Sequence, residues 1–155
     1  MRVYLSLGSN LGDRDAQMTR ALSELDRRLQ TAPLRVSSRI ETPSWGFEGA
    51  DFLNCVVCYD LSRPWTPTRL LDVCQAVERK LGRRGGPEWD ASGRRIYRDR
   101  PIDIDILFWG VRTVHTTRLQ IPHPLIRERD FVLIPLREIA DEEIRRAFPD
   151  FFETK

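Results

Sequence analysis

The sequence predicts an α+β fold in which helices pack on one face of an antiparallel sheet, and three observations predict it. Apolar and polar residues alternate in three short segments, apolar residues recur at helical spacing in two longer ones, and glycine and proline punctuate the joints. With 155 residues the chain makes one domain, 1–155, able to bury roughly two-thirds of its unfolded surface without disulfides or a structural metal.

Val3, Leu5 and Leu7 alternate with Tyr4 and Ser6, as in a strand with one apolar face. After Gly8-Ser9-Asn10-Leu11-Gly12, Asp13 is placed to cap a helix whose stripe is Met18, Ala21, Leu22, Leu25 and Leu29. The glycine segment lacks the Gly-Lys-Ser/Thr ending of a Walker motif and reads as a strand-to-helix turn. Leu34, Val36, Ser38 and Ile40 alternate with Arg35, Ser37, Arg39 and Glu41 as one second strand, and a Pro/Gly-containing loop from Thr42 to Gly49 follows. Phe52 to Leu61 is a third strand. Thr66-Pro67 starts a second helix, with the stripe Leu70, Cys74, Val77 and Leu81 ending at Gly82. Gly85-Gly86-Pro87 and Ser92-Gly93 argue against regular structure in the segment that follows. Ile102, Ile104 and Ile106 alternate with Asp103 and Asp105 as a fourth strand running into Leu107-Phe108-Trp109. The order is a ferredoxin-like βαββαβ core with a C-terminal extension.

The charged fraction of 31% and hydrophobic fraction of 41% are those of a water-soluble domain, and no apolar run approaches the ~20 residues that span a bilayer. The apolar stretch at the N-terminus is too short for a signal peptide, so a cytoplasmic location without membrane attachment is expected. Cys55-Val56-Val57-Cys58 resembles half a zinc site, but on a strand residues three apart face opposite ways, so buried thiols are expected. The net charge of +2 is unevenly spread. Between Arg79 and Arg100, Arg79, Lys80, Arg83, Arg84, Arg94, Arg95, Arg98 and Arg100 stand against Glu88, Asp90 and Asp99, so positive charge gathers in the expected loop.

Asp103-Ile104-Asp105 carries the sharpest chemical signal. Alternate strand residues share a face with Cα atoms ~6–7 Å apart, and two ionised carboxylates there repel by about 2.5 kcal/mol at an effective dielectric of about 20. A divalent cation relieves that repulsion, and hard oxygen ligands without nearby His or Cys select magnesium, which completes its shell with water and phosphate. The forked guanidinium groups upstream suit a polyphosphate, whose transfer depends mainly on positioning and charge. Read alone, the same residues also fit an acidic strand face beside a solvated loop. His123, between Pro122 and Pro124, could donate to a phosphate or cap a local carbonyl, and His115 is expected at the surface.

Five motifs in order then carry a resemblance over nearly the whole chain: Leu7-Gly8-Ser9-Asn10-Leu11-Gly12, Glu41-Thr42-Pro43, Asp51-Phe52-Leu53-Asn54, Arg100-Pro101-Ile102-Asp103-Ile104-Asp105-Ile106, and Ile121-Pro122-His123-Pro124 with Arg129-Asp130-Phe131. Together they resemble the 6-hydroxymethyl-7,8-dihydropterin pyrophosphokinases of the folate pathway. The resemblance implies that ATP gives its diphosphate to the pterin hydroxymethyl group, releasing AMP, with two magnesium ions on Asp103 and Asp105. It puts the pterin ring between Phe52 and Phe131, its guanine-like edge read by Asn54 and main-chain groups of Thr42, Pro43 and Trp45. Glu78, Arg83, Arg100, Ile106, Arg118, Gln120, His123 and Arg129 would line the nucleotide side, Arg83 and Arg100 also serving catalysis. The segment between Arg83 and Arg100 is longer than in many relatives, with Tyr97 where tryptophan is common and Gly85 where arginine often sits. Which of Arg84, Arg94, Arg95 and Arg98 reaches the phosphates stays open, as does the general base. A monomer acting on small molecules, without nucleic acid, is expected.

The rival readings are a ferredoxin-like RNA-binding module and a magnesium-dependent phosphohydrolase. The first wants exposed aromatics on its central strands, but the first strand offers only Tyr4 and the fourth presents two acids that would repel a phosphate backbone. The second needs further metal ligands or a placed nucleophile.

Overall fold

The computed structural model describes residues 1–43, 50–82, 88–96 and 101–152, with the backbone alone at 88–89 and 95–96. β1 (Arg2–Ser9) leads through the glycine turn to α1 (Arg14–Leu29). The Asp13 carboxylate accepts the Ala16 N–H at 3.1 Å, and Met18, Ala21, Leu25 and Leu29 form the buried stripe. β2 (Arg35–Val36), β3 (Ile40–Thr42) and β4 (Phe52–Asp60) follow, then α2 (Pro67–Lys80), which starts where Thr66 Oγ1 accepts the Arg69 N–H at 3.2 Å. Just past α2, Gly82 takes a φ of +108°, which L side chains avoid. β5 (Glu88–Trp89), β6 (Arg95–Ile96) and β7 (Asp103–Trp109) come next.

The main sheet runs β2/β3–β4–β1–β7, antiparallel throughout. With β2 and β3 counted as one interrupted strand, this is the ferredoxin-like order. Val3, Leu5, Leu7, Leu53, Cys55, Val57, Tyr59, Ile104, Ile106 and Trp109 face α1 and α2. Cys55 and Cys58 lie on opposite faces, and burial pushes their thiols up to about 12 and about 11, so both are inert apolar fillers.

Three expectations need correction. Helices cover both faces of the sheet, because Tyr4, Val56, Cys58, Leu107 and Phe108 form a second apolar surface. It is sealed by α3 (Asp130–Ile139) and α4 (Glu142–Ala147), which follow the small hairpin of β8 (Val114–His115) and β9 (Gln120–Ile121). The second strand is interrupted at residues 37–39. Val36 pairs with Val57 but Ile40 pairs with Asn54, so one extra residue is accommodated and the face alternation flips. Leu34 and Val36, expected on an apolar face, are 51% and 42% exposed at the sheet edge. Finally, the basic segment contains the two-residue pairing of β5 with β6, turned by Asp90, whose carboxylate accepts the N–H groups of Ser92 and Arg94.

The C-terminal extension is tied to β1 through Asp141. Its carboxylate caps α4 by accepting the Ile144 N–H at 2.9 Å and pairs with Arg2 at 3.0 Å, while its own N–H donates to the Tyr4 hydroxyl. Burial alone would push the carboxyl up, but these donors outweigh it and hold it below the ordinary range. Asp141→Ala is therefore expected to cost about 1–2 kcal/mol in urea unfolding at neutral pH. A lowered folded-state pKa stabilises above the unfolded value and loses that stabilisation as pH falls through the folded one. The difference from wild type should thus shrink below about pH 4, and a pH-independent difference would contradict the assignment.

Candidate active site

Strand register brings the site together. Asn54 lies opposite Gly8 on β1, and Gly8 lies opposite Asp103 on β7, so these three form one row across three adjacent strands. The next row is Val56, Ser6 and Asp105, and beyond the first lie the pairs Ile40–Asn54 and Thr42–Phe52. All these side chains belong to the face that α3 and α4 cover only in part. Adjacent strands are about 4.8 Å apart, so Asn54 and Asp103 sit about 10 Å from each other with Gly8 between them.

Gly8, itself buried, lets its neighbours close in over that middle position. A Cβ there would lie 3.0 Å from Asn54 Oδ1 and 3.3 Å from Phe52 Cδ1. The turn reading of the glycine segment missed this second use; a glycine inside an alternating strand is itself a signal of close approach. The Asn54 side chain, 2% exposed, donates from Nδ2 to Thr42 Oγ1 at 2.8 Å, which turns Oδ1 toward Gly8. Ala50, just before β4, is held from the β1 turn, where Asn10 Nδ2 donates to its carbonyl at 3.1 Å. Pro43 is exposed at the end of β3.

Asp103 and Asp105 are half-buried on the same face of β7. A one-residue irregularity in the β1–β7 pairing, at Leu107, lets Leu107 and Phe108 both turn to the α3 side while the aspartates keep the open end. Asp105 faces two basic side chains: Arg129 Nη1 lies 3.6 Å from Oδ2 and His123 Nε2 lies 3.8 Å from Oδ1. His123 is fixed on both sides, since its N–H donates to the Leu107 carbonyl and its Nδ1 accepts the Leu125 N–H at 3.2 Å. That acceptor role puts the ring proton of neutral His123 on Nε2, toward Asp105. The buried Arg129 guanidinium also stands 5.6 Å over the Phe131 ring, linking the acidic end of the site to an aromatic wall.

The residues named for the nucleotide side divide about the free edge of β7. Glu78 is buried on α2, and its carboxylate accepts the Ile104 N–H at 2.9 Å, between the two aspartates. Ile106 faces the α1/α2 core, 3% exposed. Arg118 reaches back to α2, 2.9 Å from Asp72 and 3.3 Å from Gln75, and Gln120 is exposed in β9. Asp105, His123, Arg129 and Phe131 gather on the opposite side. His115 is exposed, and Arg94 is exposed beyond the β5–β6 turn. Trp45, Arg83, Arg84, Arg98 and Arg100, with the substituted positions Gly85 and Tyr97, lie outside the described residues, as does the side chain of Arg95.

Known proteins resemble this chain over most of its length. A family model for 7,8-dihydro-6-hydroxymethylpterin-pyrophosphokinase (HPPK) matches residues 4–141. A 2-amino-4-hydroxy-6-hydroxymethyldihydropteridine pyrophosphokinase of Porphyromonas gingivalis is 45% identical over 140 residues, 89% of this chain and 90% of its own. Its counterpart from Methylorubrum extorquens is 41% identical over 145 residues, 91% of this chain and 84% of its own. Among solved structures, an HPPK-DHPS crystallised with substrates superposes with a TM-score of 0.63. The match covers 97% of this chain and 43% of that one at 14% identity, a likeness of fold.

Gly8→Ala is expected to push the Asn54 amide off Thr42 and to destabilise the protein by about 1–3 kcal/mol, because the close neighbours are a held amide and a packed ring. Thermal unfolding and the side-chain amide NMR signals of Asn54 report on this, and unchanged signals would show that the floor has room to spare.

Proposed function

The chain belongs to the 7,8-dihydro-6-hydroxymethylpterin-pyrophosphokinase family, and from that premise we propose that its two substrates meet over Gly8 at the open end of the sheet. The enzyme is a diphosphokinase of folate biosynthesis: it transfers the diphosphate of ATP to the hydroxymethyl group of 6-hydroxymethyl-7,8-dihydropterin, releasing AMP. The observation that carries the proposed site is the row Asn54–Gly8–Asp103, which sets a polar reader of a flat ring and an acidic pair on either side of a residue without a side chain.

In this proposal Phe52 and Phe131 flank the pterin ring, and the Asn54 amide with main-chain groups of Thr42, Pro43 and Trp45 reads its edge. Stacking accepts any flat ring, whereas a held amide rejects a ring with the wrong donor and acceptor order. The hydroxymethyl group then lies over Gly8, pointing toward Asp103. Glu78, Ile106, Arg118, Gln120, His123 and Arg129 face or support the nucleotide, with Arg83 and Arg100 supplying cationic contacts to the phosphates.

Asp103 and Asp105 suit magnesium: two carboxylates on one strand face supply hard oxygens, and two protein ligands leave the remaining positions to water and phosphate. We propose that they hold two ions, which when bound neutralise charge on the bridging and leaving phosphate oxygens. The chain's own part is to keep the carboxylates aimed. Arg129 offsets the charge of Asp105, His123 turns its Nε2 toward that carboxylate, and Glu78 occupies the edge N–H between the two aspartates, preventing β7 from pairing elsewhere.

The proposal extends to a monomeric cytoplasmic enzyme with small-molecule substrates alone. Against an RNA-binding alternative, the edge strand β7 presents two carboxylates where a nucleic-acid backbone would bring phosphate. No helix among the described residues is long and apolar enough to cross a membrane.

With ATP, magnesium and the reduced pterin, the products should be AMP and the pterin diphosphate, read by chromatography; ADP or free phosphate would overturn the transfer chemistry. Asp105→Asn should lower kcat/KM by about 10²-fold or more while leaving thermal unfolding cooperative. Turnover near wild type in that variant would remove Asp105 from the metal site.

A further inference from the structure

We infer that Glu138, on the far end of α3, is a positioning residue for pterin recognition: it clamps the interruption between β2 and β3 and thereby decides which face Thr42 occupies. The inference rests on the reading of Thr42 and Asn54 as part of the pterin pocket.

The register carries it. If the β2–β4 pairing of Val36 with Val57 continued unbroken, Arg39 would oppose Asn54 and Glu41 would oppose Phe52. Both charged side chains would then point into the site. The one-residue irregularity at 37–39 replaces them with Ile40 and Thr42. Arg39 and Glu41 turn instead to α1, where Arg39 meets Asp15 at 3.0 Å and Thr19 at 3.0 Å and Glu41 meets Arg14. Thr42 thereby arrives beside Asn54 and accepts its Nδ2–H.

An extra residue in a strand leaves backbone donors without ladder partners, so its stability depends on what else satisfies them. Ser37 solves part of this locally. Its N–H donates to the Val56 carbonyl at 2.9 Å, and its hydroxyl accepts the Val56 N–H at 2.8 Å. The Ser38 N–H has turned away from β4 and donates to both Glu138 carboxylate oxygens at 3.1 and 3.0 Å, while its hydroxyl donates to Oε1 at 2.8 Å. α3 begins next to Arg129 and carries Phe131 at its start. One helix therefore presents the aromatic wall from its first turn and holds the opposite wall in register from its last.

Glu138→Ala should raise KM for the pterin about tenfold and leave KM for ATP within about twofold, since charge-assisted bonds to a backbone donor are lost on the pterin side alone. Glu138→Gln keeps an acceptor at Oε1 and should recover most of that loss. In a Thr42→Val background, Glu138→Ala should add less than about twofold, because the step through which it acts is already removed. Ser38→Ala deletes one of the three bonds and should give a smaller rise of the same selectivity, which keeps the test open if Glu138→Ala fails to fold. Unchanged pterin KM in folded Glu138→Ala, equal losses for both substrates, or additivity with Thr42→Val would overturn the inference. If Thr42→Val itself left pterin KM untouched, the pocket reading would fall and this inference with it. A loss in Thr42→Val without one in Glu138→Ala would overturn the clamp alone.

Discussion

The pairing of β1 with both of its neighbours is the constraint on which the rest depends. Because β1 lies between β4 and β7, its register transmits one choice of row to both sides, and Asn54, Gly8 and Asp103 line up only if both ladders hold. A slip of one residue in either would turn a polar site group into the α1/α2 core and an apolar core residue out of it. Burial of Leu5, Leu7, Cys55, Val57, Ile104 and Ile106 on that covered face therefore specifies the geometry of the open one. Core energetics and site geometry are two faces of the same strands.

Charge organises the acidic end in the same economical way. Asp103 and Asp105 sit together on β7, and the nearby basic side chains are held by the chain segments that close the C-terminal extension. His123 is fixed by the Leu107 carbonyl and the Leu125 N–H, and Arg129 stands between Asp105 and the ring of Phe131. The extension thus has two uses: α3 and α4 bury the Tyr4, Val56 and Phe108 surface, and the turn preceding α3 supplies partners for the carboxylate. Coverage of only part of that sheet face leaves the site end accessible.

Much of this is legible from residue pattern. Asp13 and Thr66 cap helices as their chemistry dictates, both apolar stripes are buried, and the alternation around Asp103 and Asp105 puts the two acids on one face. What periodicity hides are the two one-residue irregularities, at 37–39 and at Leu107, because a strand that shifts register still alternates on either side of the shift. The chemistry that marks the first of them, Ser38 answered by Glu138 a hundred positions later, is visible only once the chain is folded. Gly8 was hidden for a different reason. Its neighbour Gly12 is a turn glycine with φ of +71°, whereas Gly8 is an ordinary strand residue whose missing side chain matters through what faces it. The second helical layer was obscured because Tyr4, Val56 and Cys58 each read as isolated apolar residues until β1 and β4 set them side by side.

A crystal structure of the enzyme with magnesium, a non-hydrolysable ATP analogue and the reduced pterin tests the central claim most directly. The account predicts the pterin ring between Phe52 and Phe131, its 6-substituent over Gly8 and directed at Asp103, and metal ions on Asp103 and Asp105. A ring bound away from Gly8, or metal held by groups other than these two carboxylates, would contradict it.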